Sequence, residues 1–225
     1  RDSVHGMVGN TTHFACQLAL WLPFALIQPG WRKLWALPAI GLLMVSFSAT
    51  ALVTAGVMLL TFLWRVSKSL SLLSGLTLGL AGAGWSLTHL VWLNPYGRWE
   101  TWKAWWEVLK EQPILGGGLG FVKYVTVQLP EDHILKMWKH LHNEYYQLWV
   151  ETGLIGLTLL GWLGWQLWQR RHQGPPSDLR WACAASLCGI LLISLLSFPA
   201  HLWQVGSYGC VALAGWLIGT QEATA

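Results

Sequence analysis

Residues 69–96 contain no Asp, Glu, Lys or Arg, and neither do residues 181–197 or 199–220. Uncharged runs of this length match the ~20 apolar residues that a helix needs to cross a bilayer. In hydrocarbon every backbone polar group must find its partner within the protein, so helices and closed barrels are the only spanning structures. The rest of the chain agrees: 54% of its 225 residues are hydrophobic and 11% are charged, against about 25% charged in ordinary globular proteins. A nucleic-acid binder, a disordered tail and a disulfide-stapled secreted module are excluded. The expected fold class is all-α, a polytopic transmembrane helical bundle forming one domain over residues 1–225.

Seven hydrophobic segments can be drawn, at residues 14–28, 34–47, 50–64, 70–92, 153–168, 181–198 and 202–219, with the second and third joined by a tight turn at Ser46, Phe47 and Ser48. Trp31, Trp35, Trp64, Trp92, Trp149, Trp168, Trp181 and Trp203 fall at or near their ends, where an aromatic belt belongs. Arg32 and Lys33 follow the first segment, Arg65 and Lys68 the third, and Arg170, Arg171 and Arg180 the fifth. The positive-inside rule groups these alternate connections on the cytoplasmic side. Residues 93–152 then form a large outer loop, holding six Lys/Arg and seven Asp/Glu. Cys16, Cys183, Cys188 and Cys210 lie in apolar stretches without CxxC or Cys/His spacing, so they read as small buried apolar side chains.

The seven segments hold no charged residue, whereas pumps and ion-coupled carriers place charges inside the membrane. Polar chemistry therefore falls to the outer loop, and long loops in compact chains are commonly functional. Its first half, residues 97–110, reads as a helix with Glu100, Lys103, Glu107, Lys110 and Glu111 on one arc and Trp99, Trp102, Trp105, Trp106 and Leu109 on the rest. Such a helix is expected to lie on the membrane surface, Trp face down. Arg98 alone projects among the tryptophans. It reads either as a Trp-stacked anchor or as an anion clamp, since guanidinium meets phosphate oxygens bidentately.

The run from Pro113 to Gly120 lacks the Lys-Ser/Thr of a P-loop and reads as a flexible turn more readily than as a phosphate cradle. His133, His140 and His142 lack an acidic residue at a familiar zinc spacing, which sets metal binding low. Residues 142–149 read as a helix running into the fifth segment, with His142, Tyr145, Tyr146 and Trp149 on one face and Glu144, Gln147 and Glu151 on the exposed opposite face. His142 among aromatics is either an interfacial structural residue or a general base.

Arg98 with Trp102, the segment Pro113 to Gly118, the run His142-Asn143-Glu144-Tyr145 and the run Glu151-Thr152-Gly153-Leu154-Ile155-Gly156 together resemble the O-antigen ligase and O-antigen polymerase superfamily. Asn10, His13 and Phe14 resemble the start of an earlier span in that family. The resemblance covers about residues 6–165 and implies more spans upstream, making this the C-terminal part of a longer protein. It implies transfer of a glycan from a polyprenyl-diphosphate carrier to a hydroxyl of a lipid A core sugar, a glycan or a protein, at the periplasmic face of the bacterial inner membrane. Its expected partners are that donor, that acceptor and membrane lipid, with no nucleic acid. It implies no metal and no nucleotide-sugar cofactor, His142 as base and Arg98 as diphosphate contact. Asn143, Tyr145, Trp102, Asn10 and His13 become substrate-binding candidates. Ala49 follows Ser48 where members often carry arginine, and Thr12 stands where Asn is common. The alternatives are a transporter, since some relatives are assigned transport roles including of bicarbonate, and an inactive remnant.

Overall fold

A computed structural model describes residues 11–46, 48–76, 98–125, 140–170, 177–197, 199 and 203–221. Every regular element among them is helical: α1 (Thr11–Leu26), a 3-10 turn (Gly30–Trp35), α2 (Ala36–Ser46), α3 (Ala49–Val66), α4 (Arg98–Glu111), α5 (Phe121–Tyr124), α6 (Glu144–Gln169), α7 (Asp178–Leu196) and α8 (Trp203–Gln221). Residues 68–76 are also helical. Among the described residues, α3, α6 and α7 are long and apolar enough to cross a membrane, and the apolar part of α8, Val205–Leu217, is shorter. Of the seven segments drawn from the sequence, the first two correspond to helices of 16 and 11 residues, and residues 77–92 of the fourth lie outside the described residues. The chain divides into two compact units.

In the first unit α1 packs against α2, α3 and α8. Its buried stripe, Ala15, Cys16, Ala19, Leu20 and Ala25, meets Ala51, Ala55 and Met58 of α3. Small residues one turn apart let helix backbones approach closely where apolar burial cannot drive association. Gly189 of α7 extends this: a side chain there would stand 2.6 Å from Met58 and 2.8 Å from Leu20. The Ser186 hydroxyl of α7 donates to the Leu20 carbonyl of α1 at 2.8 Å. The α2–α3 turn falls where the sequence placed it. Ser48 caps α3 by accepting from the Ala51 amide at 3.4 Å, and the Ser46 hydroxyl donates to the Leu43 carbonyl at 2.7 Å. Ala49 stands exposed in the first turn of α3.

Arg65, at the end of α3, is ion-paired with Asp178, at the start of α7, and its guanidinium lies 5.7 Å from the Trp181 ring. Arg180 likewise covers the ring of Trp216. The end of α3 and the start of α7 therefore lie at the same end of this unit. Both partners of the Arg65–Asp178 pair are largely exposed, so it adds at most about 1 kcal/mol. Two of the cysteines depart from expectation: Cys16 and Cys183 are buried, but Cys188 and Cys210 are exposed. The helix faces that carry those two do not turn toward the packed side of the unit.

Candidate functional site

The second unit is built on α4, α5 and α6. Thr101, Trp105 and Leu109, spaced four apart on α4, are its buried stripe. Trp105 and Leu109, each 3% exposed, join Val122, Leu141 and Val150 in one cluster. The apolar face of α4 thus does not lie wholly on the membrane surface as expected. It is shared between this core and the exposed Trp99 and Trp106. Glu107 and Lys110 pair on the exposed side, as the charged arc predicts.

The run from Pro113 to Gly120 is the largest correction. It is no flexible turn but one half of a backbone exchange with α6. In an unbroken helix the amides of Leu154 and Ile155 would donate to the carbonyls of Val150 and Glu151. Here they donate instead to Pro113 (3.0 Å) and Ile114 (3.3 Å), while the amides of Gly117 and Gly118 take over the carbonyls of Val150 (2.9 Å) and Glu151 (2.8 Å). These four helix groups, set free at the break, are re-paired, as buried backbone demands. The break is at Gly153, with φ 64° and ψ −164°, a region essentially closed to other residues. A Cβ there would lie 2.0 Å from the Ile114 oxygen, and one on Gly116 (φ 68°) would lie 2.6 Å from Glu151 backbone. With their amides taken by α6, Gly117 and Gly118 form no phosphate cradle.

Glu151 was expected to be exposed, and Gln147 with it. They are 8% and 3% exposed. One Glu151 carboxylate oxygen accepts from the Gly120 amide at 3.1 Å and the other from Gln147 Nε2 at 3.0 Å. Gln147 Oε1 in turn accepts from the Leu141 amide at 3.2 Å. The sequence signal was present in the four-residue spacing of Gln147 and Glu151, which puts both on one helix face. Their charge and polarity argued for water instead.

His142 does not belong to α6 and shares no helical face with Tyr145 and Trp149. Asn143 is the N-cap, its side chain accepting from the Tyr146 amide at 2.9 Å, and α6 starts at Glu144. His142 has φ 55°, the only positive φ of a non-glycine residue among the described residues, a conformation that costs about 1–3 kcal/mol and persists only where the surroundings impose it. Those surroundings are visible. The Leu141 carbonyl accepts from Trp102 Nε1 at 2.7 Å, and the Tyr146 hydroxyl donates to the Trp102 carbonyl at 2.9 Å.

Arg98 opens α4 one turn before Trp102 and is half-buried. Arg98, Trp102, His142, Asn143 and Tyr145 therefore all belong to the second unit, linked through Trp102 and the 141–143 backbone. His13 lies in α1 of the first unit, and Asn10 is outside the described residues, as is His133. Trp99, Trp102, Trp106 and Tyr146, with Lys103 and Glu107, line an open groove of about 530 Å³. Among the described residues no three His, Cys, Asp or Glu side chains converge on a common point.

A family model described as O-antigen ligase matches residues 34–161, more than half of the chain and all of α4, α5 and the kinked part of α6. No curated protein and no solved structure matches the chain.

Proposed function

The chain belongs to the O-antigen ligase family, and we propose that it transfers a glycan from a polyprenyl-diphosphate carrier to a hydroxyl acceptor at the outer face of the bacterial inner membrane. The neutral imidazole of His142 takes the proton of the acceptor hydroxyl. The freed oxygen attacks the anomeric carbon, and the bond from that carbon to the diphosphate oxygen breaks with inversion. Arg98 meets the charge that develops on the departing diphosphate with its planar pair of N–H donors. A diphosphate is already a competent leaving group, so one base and cationic contacts suffice.

The observation that carries this reading is the backbone of His142. It is held in a conformation that costs energy, between a residue bonded at both its amide and carbonyl and a helix cap. Backbone strain so enforced concentrates at functional sites. We infer that Asn143, Tyr145 and Trp102, which belong to the same unit, contact the substrate, with Tyr145 adding an aromatic surface suited to a sugar ring.

The test is His142→Asn, because asparagine tolerates the left-handed backbone but cannot serve as the base. Transfer from an undecaprenyl-diphosphate-linked oligosaccharide to lipid A core in proteoliposomes is expected to fall on the order of 10²–10⁴-fold at unchanged membrane abundance. Turnover within a few-fold of wild type would remove His142 from the chemistry.

A further inference from the structure

Glu151 and Gln147 lie within the helix that leads to the apolar span, yet both are polar side chains turned away from solvent. They form a chain of three hydrogen bonds across the second unit, from the Gly120 amide through Glu151 and Gln147 to the Leu141 amide. One end is anchored to the turn that is spliced into α6. The other ends on the residue before His142. Resting on the reading of His142 as base, we propose that Glu151 and Gln147 are positioning residues, a clamp that sets the left-handed backbone of His142 and so aims its imidazole.

The geometry favours this over a purely structural role. A carboxylate inside a helix near the membrane is costly to bury, and the glycine turn is already held by four backbone bonds. The chain meets the histidine segment at the Leu141 amide, and Leu141 also gives its carbonyl to Trp102. Fixing both faces of that residue leaves the next one little rotational freedom. Reacting groups displaced by about 1 Å lose on the order of 10²-fold in rate, so a clamp at this place controls turnover.

The direction of each bond gives a test. Gln147→Glu sets a second carboxylate against Glu151 and breaks the middle link. Adding Glu151→Gln restores all three links with the amide and the carboxylate exchanged. The new amide oxygen at position 151 accepts from the Gly120 N–H, and its NH₂ donates to the new carboxylate at position 147. The other oxygen of that carboxylate accepts from the Leu141 N–H. In the full chain, with the donor and acceptor named above, Gln147→Glu is expected to lower kcat on the order of 10–100-fold with donor KM unchanged. The double variant is expected to return to within about threefold of wild type. Hydrogen exchange at the Leu141 amide should quicken in the single variant and slow again in the double. If Gln147→Glu does not reach the membrane, Gln147→Leu removes both the donor to Glu151 and the acceptor of the Leu141 amide without adding charge, and should show the same kcat loss with a faster Leu141 exchange. A wild-type kcat in the single variants, beside an inactive His142→Asn, would overturn the clamp and leave the proposed function standing. A loss of kcat that the double variant does not restore would reduce both residues to structural ones. Full activity in His142→Asn would instead remove the base, and the clamp's purpose with it.

Discussion

Replacing Gly153 by alanine puts the backbone exchange to its severest trial. The new Cβ would stand 2.0 Å from the Ile114 oxygen, on a residue held at φ 64° and ψ −164°. Two responses are open. If the exchange persists, alanine bears the strain of a glycine-only conformation, about 1–3 kcal/mol, in addition to the contact. If the helix straightens, Leu154 and Ile155 recover their own helical acceptors, but the four bonds of the exchange become two. Two bonds at about 0.5–1.5 kcal/mol each put that loss at about 1–3 kcal/mol, with the packing of Phe121 and Val122 loosened as well. By either route about 2–3 kcal/mol is lost locally, so amide exchange at Gly117 and Gly118 should quicken on the order of 30- to 100-fold. Gly161→Ala is the control: it lies in the same helix with open space around it, and alanine there should be neutral or stabilise by roughly 0.5–1 kcal/mol. Exchange at Gly117 and Gly118 within about threefold of wild type in Gly153→Ala would show that the exchange does not depend on this glycine, and the account of the kink would be wrong.

Two further outcomes follow from charge. Arg98→Lys keeps the charge but loses the bidentate fork, so a diphosphate contact predicts transfer reduced at least about tenfold, whereas transfer at wild-type rate and equal abundance would leave Arg98 as an anchor for α4. The alternation of positive connections predicts that, in a cysteine-free background, Gln128→Cys is labelled by an impermeant thiol reagent in intact spheroplasts and Pro175→Cys is not; the reverse pattern would put the site on the inner face.

Helices were legible because uncharged runs and the four-residue stripe of α4 are written in side chains. The exchange at Gly153 was not, because it is made of amides and carbonyls more than thirty residues apart, and hydrophobic periodicity carries no record of them. Gly153, Leu154, Ile155 and Gly156 read as the start of the fifth hydrophobic segment, with no sign in their side chains of a break at Gly153. The pattern shared by Pro113 to Gly118 and Glu151 to Gly156 was visible as two separate motifs. Their physical content is that each completes the backbone of the other. His142 was drawn into the helix for a similar reason: the aromatic spacing that follows it is helical, and the stop signal was the single residue Asn143, whose preference for the N-cap outweighs the periodicity. Trp102 was legible as an interfacial aromatic but not as the residue whose main-chain carbonyl and indole both grip the histidine segment.

The place of the break bears on the proposed chemistry. Ten residues separate Asn143 from Gly153, about 15 Å of helix. The headgroup layer on one side of a bilayer is only about 5–7 Å deep. On a straight helix standing along the membrane normal, with its apolar stretch beginning at Gly153, His142 would be held in water beyond the layer where the diphosphate of a polyprenyl carrier resides. If the polar first half of α6 inclines toward the membrane plane at the Gly153 kink, the proposed base would come nearer to the depth of the proposed diphosphate. Bent backbone within a membrane is tolerated only where protein supplies the missing partners, and the Pro113–Gly118 run supplies partners for Val150, Glu151, Leu154 and Ile155. A Gly153→Ala chain that still reaches the membrane should accordingly lose transfer even with His142, Arg98 and the Glu151–Gln147 pair intact.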